Sequence, residues 1–220
     1  MFTIDFNTKY SSQFCSDGIV ESIINHLYPS GHQGNAFELG ASPTENNTNF
    51  LRDKYNWRVT QIDGAYDRPD IRLFKHFITK DNVIDIMKKY DVPQNLHLFS
   101  IDIDGNDFYI LRKVLQNWQP DIIIAEYNAN WHQQDKVMPY AENHVWSGND
   151  YYGAGLLPLK LLMQRYGYYF VTCDVEGLNG YWCRFKIEAS NAIHYSHSFV
   201  ANWPASNKPT VTFEEAIASD

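Results

Sequence analysis

The chain has 220 residues, of which 44% are hydrophobic, and eighteen basic against twenty-six acidic side chains give a net charge of −8. That length suits one domain with a sizeable core, and the apolar content excludes a disordered chain. The acidic balance makes a phosphate backbone a poor partner, and no run approaches the roughly 20 apolar residues of a membrane span, so neither nucleic acid nor membrane is expected.

In chain order, the first fourteen residues lack the basic-then-apolar layout of a secretory leader, so none is predicted. Ser16 is a predicted cap for a helix over 17–28, whose Ile19, Val20, Ile23, Ile24 and Leu27 share one face, with Pro29 and Gly31 as its stop. Residues 35–40 read as a short buried strand, 44–55 as a polar-capped helix, and 57–62 as a strand ending on Asp63. A strand over 71–78 follows. A helix over 81–90 then carries Lys88 and Lys89 in its last turn, where the dipole favours cations. Next come an apolar strand over 95–103, a helix over 107–115 and the strand DIIIAE at 121–126. A helix over 156–166 is closed by Gly167, and 168–174 and 180–187 form a strand pair around a glycine-containing turn. Residues 188–220 show no clear periodicity and read as a C-terminal extension to a domain over 1–187. Cys15, Cys173 and Cys183 are an odd number without a CxxC pair. They point to reduced thiols in a cytoplasmic compartment, with a Cys173–Cys183 bridge left open.

Helices alternating with continuous apolar strands predict an α/β fold, a doubly wound and mostly parallel sheet with a terminal antiparallel strand pair. In such sheets ligands bind outside the carboxyl ends of the strands, near the switch in strand order. The first end is Glu38-Leu39-Gly40-Ala41-Ser42, a single-glycine turn that suits a ligand without a pyrophosphate. Asp63 lies 23 residues beyond Gly40, the spacing of a carboxylate that takes ribose hydroxyls.

The fourth end gathers Asp102, Asp104 and Asp107 within six residues, and their mutual repulsion calls for a cation or a helix N-terminus. The fifth end adds Glu126 and Asn128. Asp102, Asp104, Glu126 and Asn128 would make an all-oxygen set for a hard cation such as Mg²⁺, the alternative being a network satisfied by backbone N–H groups and the ligand. An EF-hand is excluded, because Gly105 stands fourth from Asp102 and Lys113 occupies the acidic twelfth position. The long segment 129–155 carries Trp131, His132, Tyr140, His144, Trp146, Tyr151 and Tyr152. Its aromatics could stack on a sugar or pin the segment to the core, and His132 is a candidate general base.

FELGASPTENNTNFL, VTQIDG, FSIDIDGNDFYIL and DIIIAEYN, in this order and spacing, resemble the FkbM-type methyltransferase domain of the class I S-adenosylmethionine-dependent methyltransferases. The likeness spans about residues 10–187, with Ser42-Pro43-Thr44 where many members have a glycine-containing acidic turn. It implies a Rossmann-like fold with S-adenosylmethionine as cofactor. Gly40 with its neighbours Glu38, Ala41 and Ser42 would lie near the methionine portion and Asp63 at the ribose. Residues 76–78, with Phe77 at the centre, would lie near the adenine, and Asp102 would face the sulfonium. The expected reaction is O-methyl transfer to a small or glycan-like acceptor, helped by Mg²⁺ or by His132 as base. The Asp102–Asp104 pair alone also fits a DxD metal-dependent glycosyltransferase, and a non-catalytic cofactor-binding protein is a third alternative.

Overall fold

The computed structural model describes residues 1–29, 33–198 and 203–219; Gly31, half of the predicted helix stop, lies outside them. One sheet contains β1 (Asn35–Leu39), β2 (Arg58–Asp63), β3 (Leu73–Lys75), β4 (Leu98–Ile101), β5 (Ile122–Glu126), β6 (Tyr169–Cys173) and β7 (Asn179–Cys183). Its order is β3-β2-β1-β4-β5-β7-β6. β1 to β5 pair in parallel, and β7 runs antiparallel to both β5 and β6. The expected doubly wound sheet is therefore present, with the antiparallel element inserted as β7 between β5 and β6.

Strand alternation sorts the core into two layers. Phe37, Leu39, Phe99, Ile101 and Ile123 pack with α3 (Val83–Lys89), α4 (Asp107–Leu115) and α5 (Leu156–Arg165). Ala36, Leu98, Ile122 and Ile124 face α1 (Ser16–Leu27) and α2 (Asn49–Tyr55). With both faces covered, Ile122 to Ile124 are wholly buried, each contributing about 1.5–3 kcal/mol of hydrophobic stabilisation.

Local chemistry moves several predicted boundaries. Ser16 is the first helical residue of α1 and makes no cap of its own. Asp17 instead anchors the preceding loop, its Oδ2 accepting from the backbone of Tyr10, Ser11 and Ser12 at 2.6, 2.7 and 2.9 Å. α2 begins at Asn49 rather than at residue 44, because side chains take the backbone donors a helix would need. Ser42 Oγ accepts from Glu45 N at 2.8 Å, and Asn46 Oδ1 accepts from Asn49 N at 2.7 Å. β3 is only three residues long, preceded by a 3₁₀ turn over Pro69–Ile71 and by Arg72 at φ 59°.

Residues 203–219 return to the core. α6 (Phe213–Ala218) starts with a Thr212–Glu215 capping box and buries Phe213 and Ala216. Val211 and Val137 exchange backbone hydrogen bonds of 2.8 and 2.9 Å, tying this tail to the 129–155 segment. All three cysteines are free, so the Cys173–Cys183 alternative falls away. Among the described residues no helix is long and apolar enough to cross a membrane.

Candidate active site

Strand order reverses between β1 and β4, and the residues just past the paired strands line up there. Leu39 is in register with Ile62 on β2 and Ile101 on β4, and Ile101 with Ala125 on β5. The next residue of each strand is Asp63, Gly40, Asp102 and Glu126, and Glu126 pairs with Asn179 of β7. A single transverse row thus carries the site. It opens on a cavity of about 380 Å³, within the usual range of small-molecule sites. A second cavity of about 180 Å³ shares Gly40, Asp63, Asp102 and Asp104 with the first.

Gly40 has a sharper requirement than ligand approach. At φ 86°, a Cβ on it would lie 1.5 Å from the carbonyl oxygen of Asp102. The glycine lets the ends of β1 and β4 meet, which brings Asp63 and Asp102 into one crevice. Asp63 Oδ1 accepts from Ala65 N at 2.6 Å and Tyr66 N at 3.2 Å, which orients the carboxylate. Phe77 lines the smaller cavity and is half exposed. Ser42 and Glu38 line the larger one. Ala41 is wholly buried and lines neither, so its expected place at the methionine portion is not supported.

Asp102, Asp104 and Glu126 bring ligand-capable oxygens within 4.8 Å of one another. Burial, then Asp104 and Asp107, push the Asp102 carboxyl well above the ordinary range. Glu126 is raised in the same way by burial and by Asp102, and the two carboxyls share a hydrogen bond. Asp104, the exposed member at φ 55°, is pushed up to about 6 by desolvation and by Asp107 and Asp63. Asp107 folds the loop instead, accepting from Ile103 N and Gly105 N, each at 2.8 Å. No Lys or Arg lines either cavity among the described residues.

The segment 129–155 forms a pinned wall over the row. Asn106 donates to the Ala141 carbonyl at 2.7 Å and accepts from its N–H at 3.1 Å, and Gly153 N donates to Gly105 O at 3.1 Å. Trp146 and Tyr152 from this segment face the larger cavity with Trp203 from the tail, the two indoles meeting edge-on at 4.7 Å.

Two sequence expectations are corrected here. Asn128 is not available to the acidic cluster. Its Oδ1 accepts from Asn130 N and Nδ2 at 3.1 and 2.9 Å, and its Nδ2 donates to the Asp150 and Tyr152 carbonyls at 2.9 and 2.8 Å. His132 lines neither cavity. It is exposed, with Nδ1 3.0 Å from the Tyr195 hydroxyl and its ring 5.7 Å from that of His197. The histidines at the crevice are His76, beside Phe77, and His144, packed over Gly105, where a Cβ would meet the His144 ring at 2.4 Å. Burial, helped by Lys208, lowers the pKa of His144, and its buried Nε2 has no hydrogen-bond partner. Asn179 was also missed, because nothing in the local sequence shows that β7 inserts beside β5.

This strand order, with antiparallel β7 beside β5, is that of a Rossmann-like methyltransferase fold. Residues 20–170 match the family described as Methyltransferase FkbM domain, and the chain belongs to that family. S-adenosylmethionine is the donor that membership implies. No curated protein matches the chain. Among solved structures, the crystal structure of methyltransferase CalO6 is similar at 13% identity and a TM-score of 0.36. The match covers 73% of this chain and 60% of that one, and a likeness at this level speaks to neither substrate nor residues.

Proposed function

We propose that the protein transfers a methyl group from S-adenosylmethionine to a hydroxyl of a small or glycan-like acceptor. The observation that carries this reading is the row of Asp63, Gly40, Asp102 and Glu126 in one crevice with no Lys or Arg among its described lining residues. Such a donor set suits a positively charged ligand with ribose hydroxyls. When bound, S-adenosylmethionine supplies a methyl carbon made electrophilic by a cationic sulfur.

The chain's own part is positioning and proton handling. The preset Asp63 carboxylate would hold the ribose, with Phe77 against the adenine in the smaller cavity. Asp102 would face the positive charge. Trp146, Trp203 and Tyr152 would set the acceptor ring in the larger cavity, and alignment of this kind can be worth ~7–11 kcal/mol. The acceptor hydroxyl must lose a proton as its oxygen bonds to carbon. Asp104, at the open rim and pushed up to about 6, is a stronger base than an ordinary carboxylate. A divalent cation on the same row would polarise that hydroxyl as a Lewis acid. The free thiols support a reducing, cytoplasmic setting.

Methyl-labelled S-adenosylmethionine incubated with pyranosides, cyclitols and phenols tests the reading. Label recovered as an O-methyl ether, with one equivalent of S-adenosylhomocysteine, is the expected result. Label on nitrogen overturns the hydroxyl assignment. Hydrolysis or transfer of a UDP-sugar in its place would favour the DxD glycosyltransferase.

A further inference from the structure

Beside the three carboxylates, the crevice holds a further side-chain oxygen from a strand that runs antiparallel to the rest of the row. Asn179 opens β7 directly opposite Glu126 of β5. Side chains of directly opposed residues project to the same face of the sheet, with Cβ atoms about 4.5–5.5 Å apart. Both residues line the larger cavity, and both are more than nine-tenths buried, at 6% and 7% exposure. Asn179 Oδ1 and Glu126 Oε2 are each without a hydrogen-bond partner. A buried acceptor left unpaired costs about 1–3 kcal/mol, more when charged, so two facing one cavity mark a place for a ligand that supplies positive charge or donors.

The amide is also held in place before any ligand arrives. Asp174 Oδ1 accepts from Gly177 N and Leu178 N at 2.7 and 2.8 Å, and Oδ2 accepts from Asn179 N at 2.8 Å. Leu178 O accepts from Tyr127 N at 2.8 Å, locking the turn against the chain just after β5. Gly177, at φ 84°, passes so close to Ser196 that a Cβ would lie 2.6 Å from its carbonyl oxygen. Asn179 is thus presented by a rigid turn.

We propose that Asp102, Glu126 and Asn179 form the inner donors of a site for a hard divalent cation of the Mg²⁺ or Ca²⁺ class, with Asp104 at its rim. The set is all oxygen and draws on three strands, with Glu126 and Asn179 on the larger cavity and Asp102 where the two cavities meet. Oxygen-only donors with two or three carboxylates are what such cations take. The assignment rests on the proposed function only in that the two share a crevice.

Terbium luminescence tests it, because Trp146, Trp203 and Tyr152 in the same cavity can sensitise a bound Tb³⁺ ion. The wild-type chain is titrated with TbCl₃ and the signal competed with Mg²⁺ and Ca²⁺. Saturable emission displaced by either cation is expected. Asn179→Ala should weaken the competing cation by roughly tenfold or more, and Asn179→Asp should restore binding. Circular dichroism melts of both variants show whether they are folded. Emission that neither cation displaces, or a folded Asn179→Ala chain that binds as the wild type does, overturns the site. So does Asn179→Ala weakening S-adenosylhomocysteine while Tb³⁺ fails to bind the wild type, since the amide would then face the ammonium group of the donor. S-adenosylhomocysteine binding without any cation site leaves the methyltransferase reading intact. Cation binding without S-adenosylhomocysteine binding does the reverse.

Discussion

Glu38 and Glu126 are the same residue type on the same face of the same sheet, each just inside the carboxyl end of a parallel strand, and they are in opposite states. Glu38 is saturated. It accepts from Asn47 N at 2.8 Å, from the Thr48 hydroxyl and from Gln61 Nε2 at 3.0 Å. Glu126, also buried, leaves Oε2 without a donor and faces the Asp102 carboxyl. Burial raises both carboxyls, but three donors oppose the rise at Glu38, whereas Asp102 and Asp104 add to it at Glu126. A buried carboxylate therefore declares its role through its donors. Glu38 belongs to the fold, holding the loop before α2 against β1 and β2, and Glu126 is left for a ligand to complete.

Breaking the first glutamate should have the largest effect. Glu38→Ala strands an N–H, a hydroxyl and an amide in the interior and should cost about 3–5 kcal/mol, read as a drop in urea midpoint. Glu38→Gln, which keeps one acceptor oxygen, should fall between that variant and the wild type. Neutralising the second glutamate should do the opposite. Glu126→Gln relieves repulsion with Asp102 and should stabilise the ligand-free protein by about 1 kcal/mol, roughly 2–4 °C in melting temperature, while removing its response to Mg²⁺.

The same contrast has a pH signature. Asp102 and Glu126 are raised well above the range of an unfolded chain, and Asp104 reaches about 6. The folded state therefore binds more protons than the unfolded state above about pH 4, where free carboxyls ionise. Their contribution to stability is full below that pH and is lost as pH rises through the folded values. The ligand-free protein should melt higher near pH 5 than at pH 7.5. Glu126→Gln should flatten that difference, and an unchanged slope would separate the acidic row from the effect. The smallest effect is expected at His132. His132→Ala should leave stability within about 0.5 kcal/mol and turnover unaltered, because the ring sits on the surface against Tyr195.

Legibility in the sequence followed the range of the interactions. The strand DIIIAE, the helix from Asp107 and the helix from Leu156 were readable because apolar period and punctuation are local. Asp63 and Asp102 were readable as strand-end carboxylates because a parallel sheet brings such ends together. The start of α2 was not, since Ser42 and Asn46 spend their side chains on backbone donors that only the folded loop presents. His132 and His144 lie on one segment with nothing local to separate them. The Asn106 clamp on Ala141 decides which of them faces the crevice. Asn128 had the right chemistry two residues past Glu126, but it caps a 3₁₀ turn, and Asn179 supplies the amide from β7. α6 did carry a local sign, the Thr212–Glu215 capping pair ahead of Phe213, hidden within a tail that otherwise lacks periodicity.

The central claim is that one crevice, with Asp63 at the ribose, holds the methyl donor. Isothermal titration calorimetry with S-adenosylhomocysteine tests it on the wild type, Asp63→Ala and His132→Ala. One saturable site in the wild type, unchanged in His132→Ala and weakened at least about tenfold in a folded Asp63→Ala chain, is the predicted result; each tenfold step corresponds to about 1.4 kcal/mol. No binding to the wild type, or equal affinity in Asp63→Ala, would contradict it.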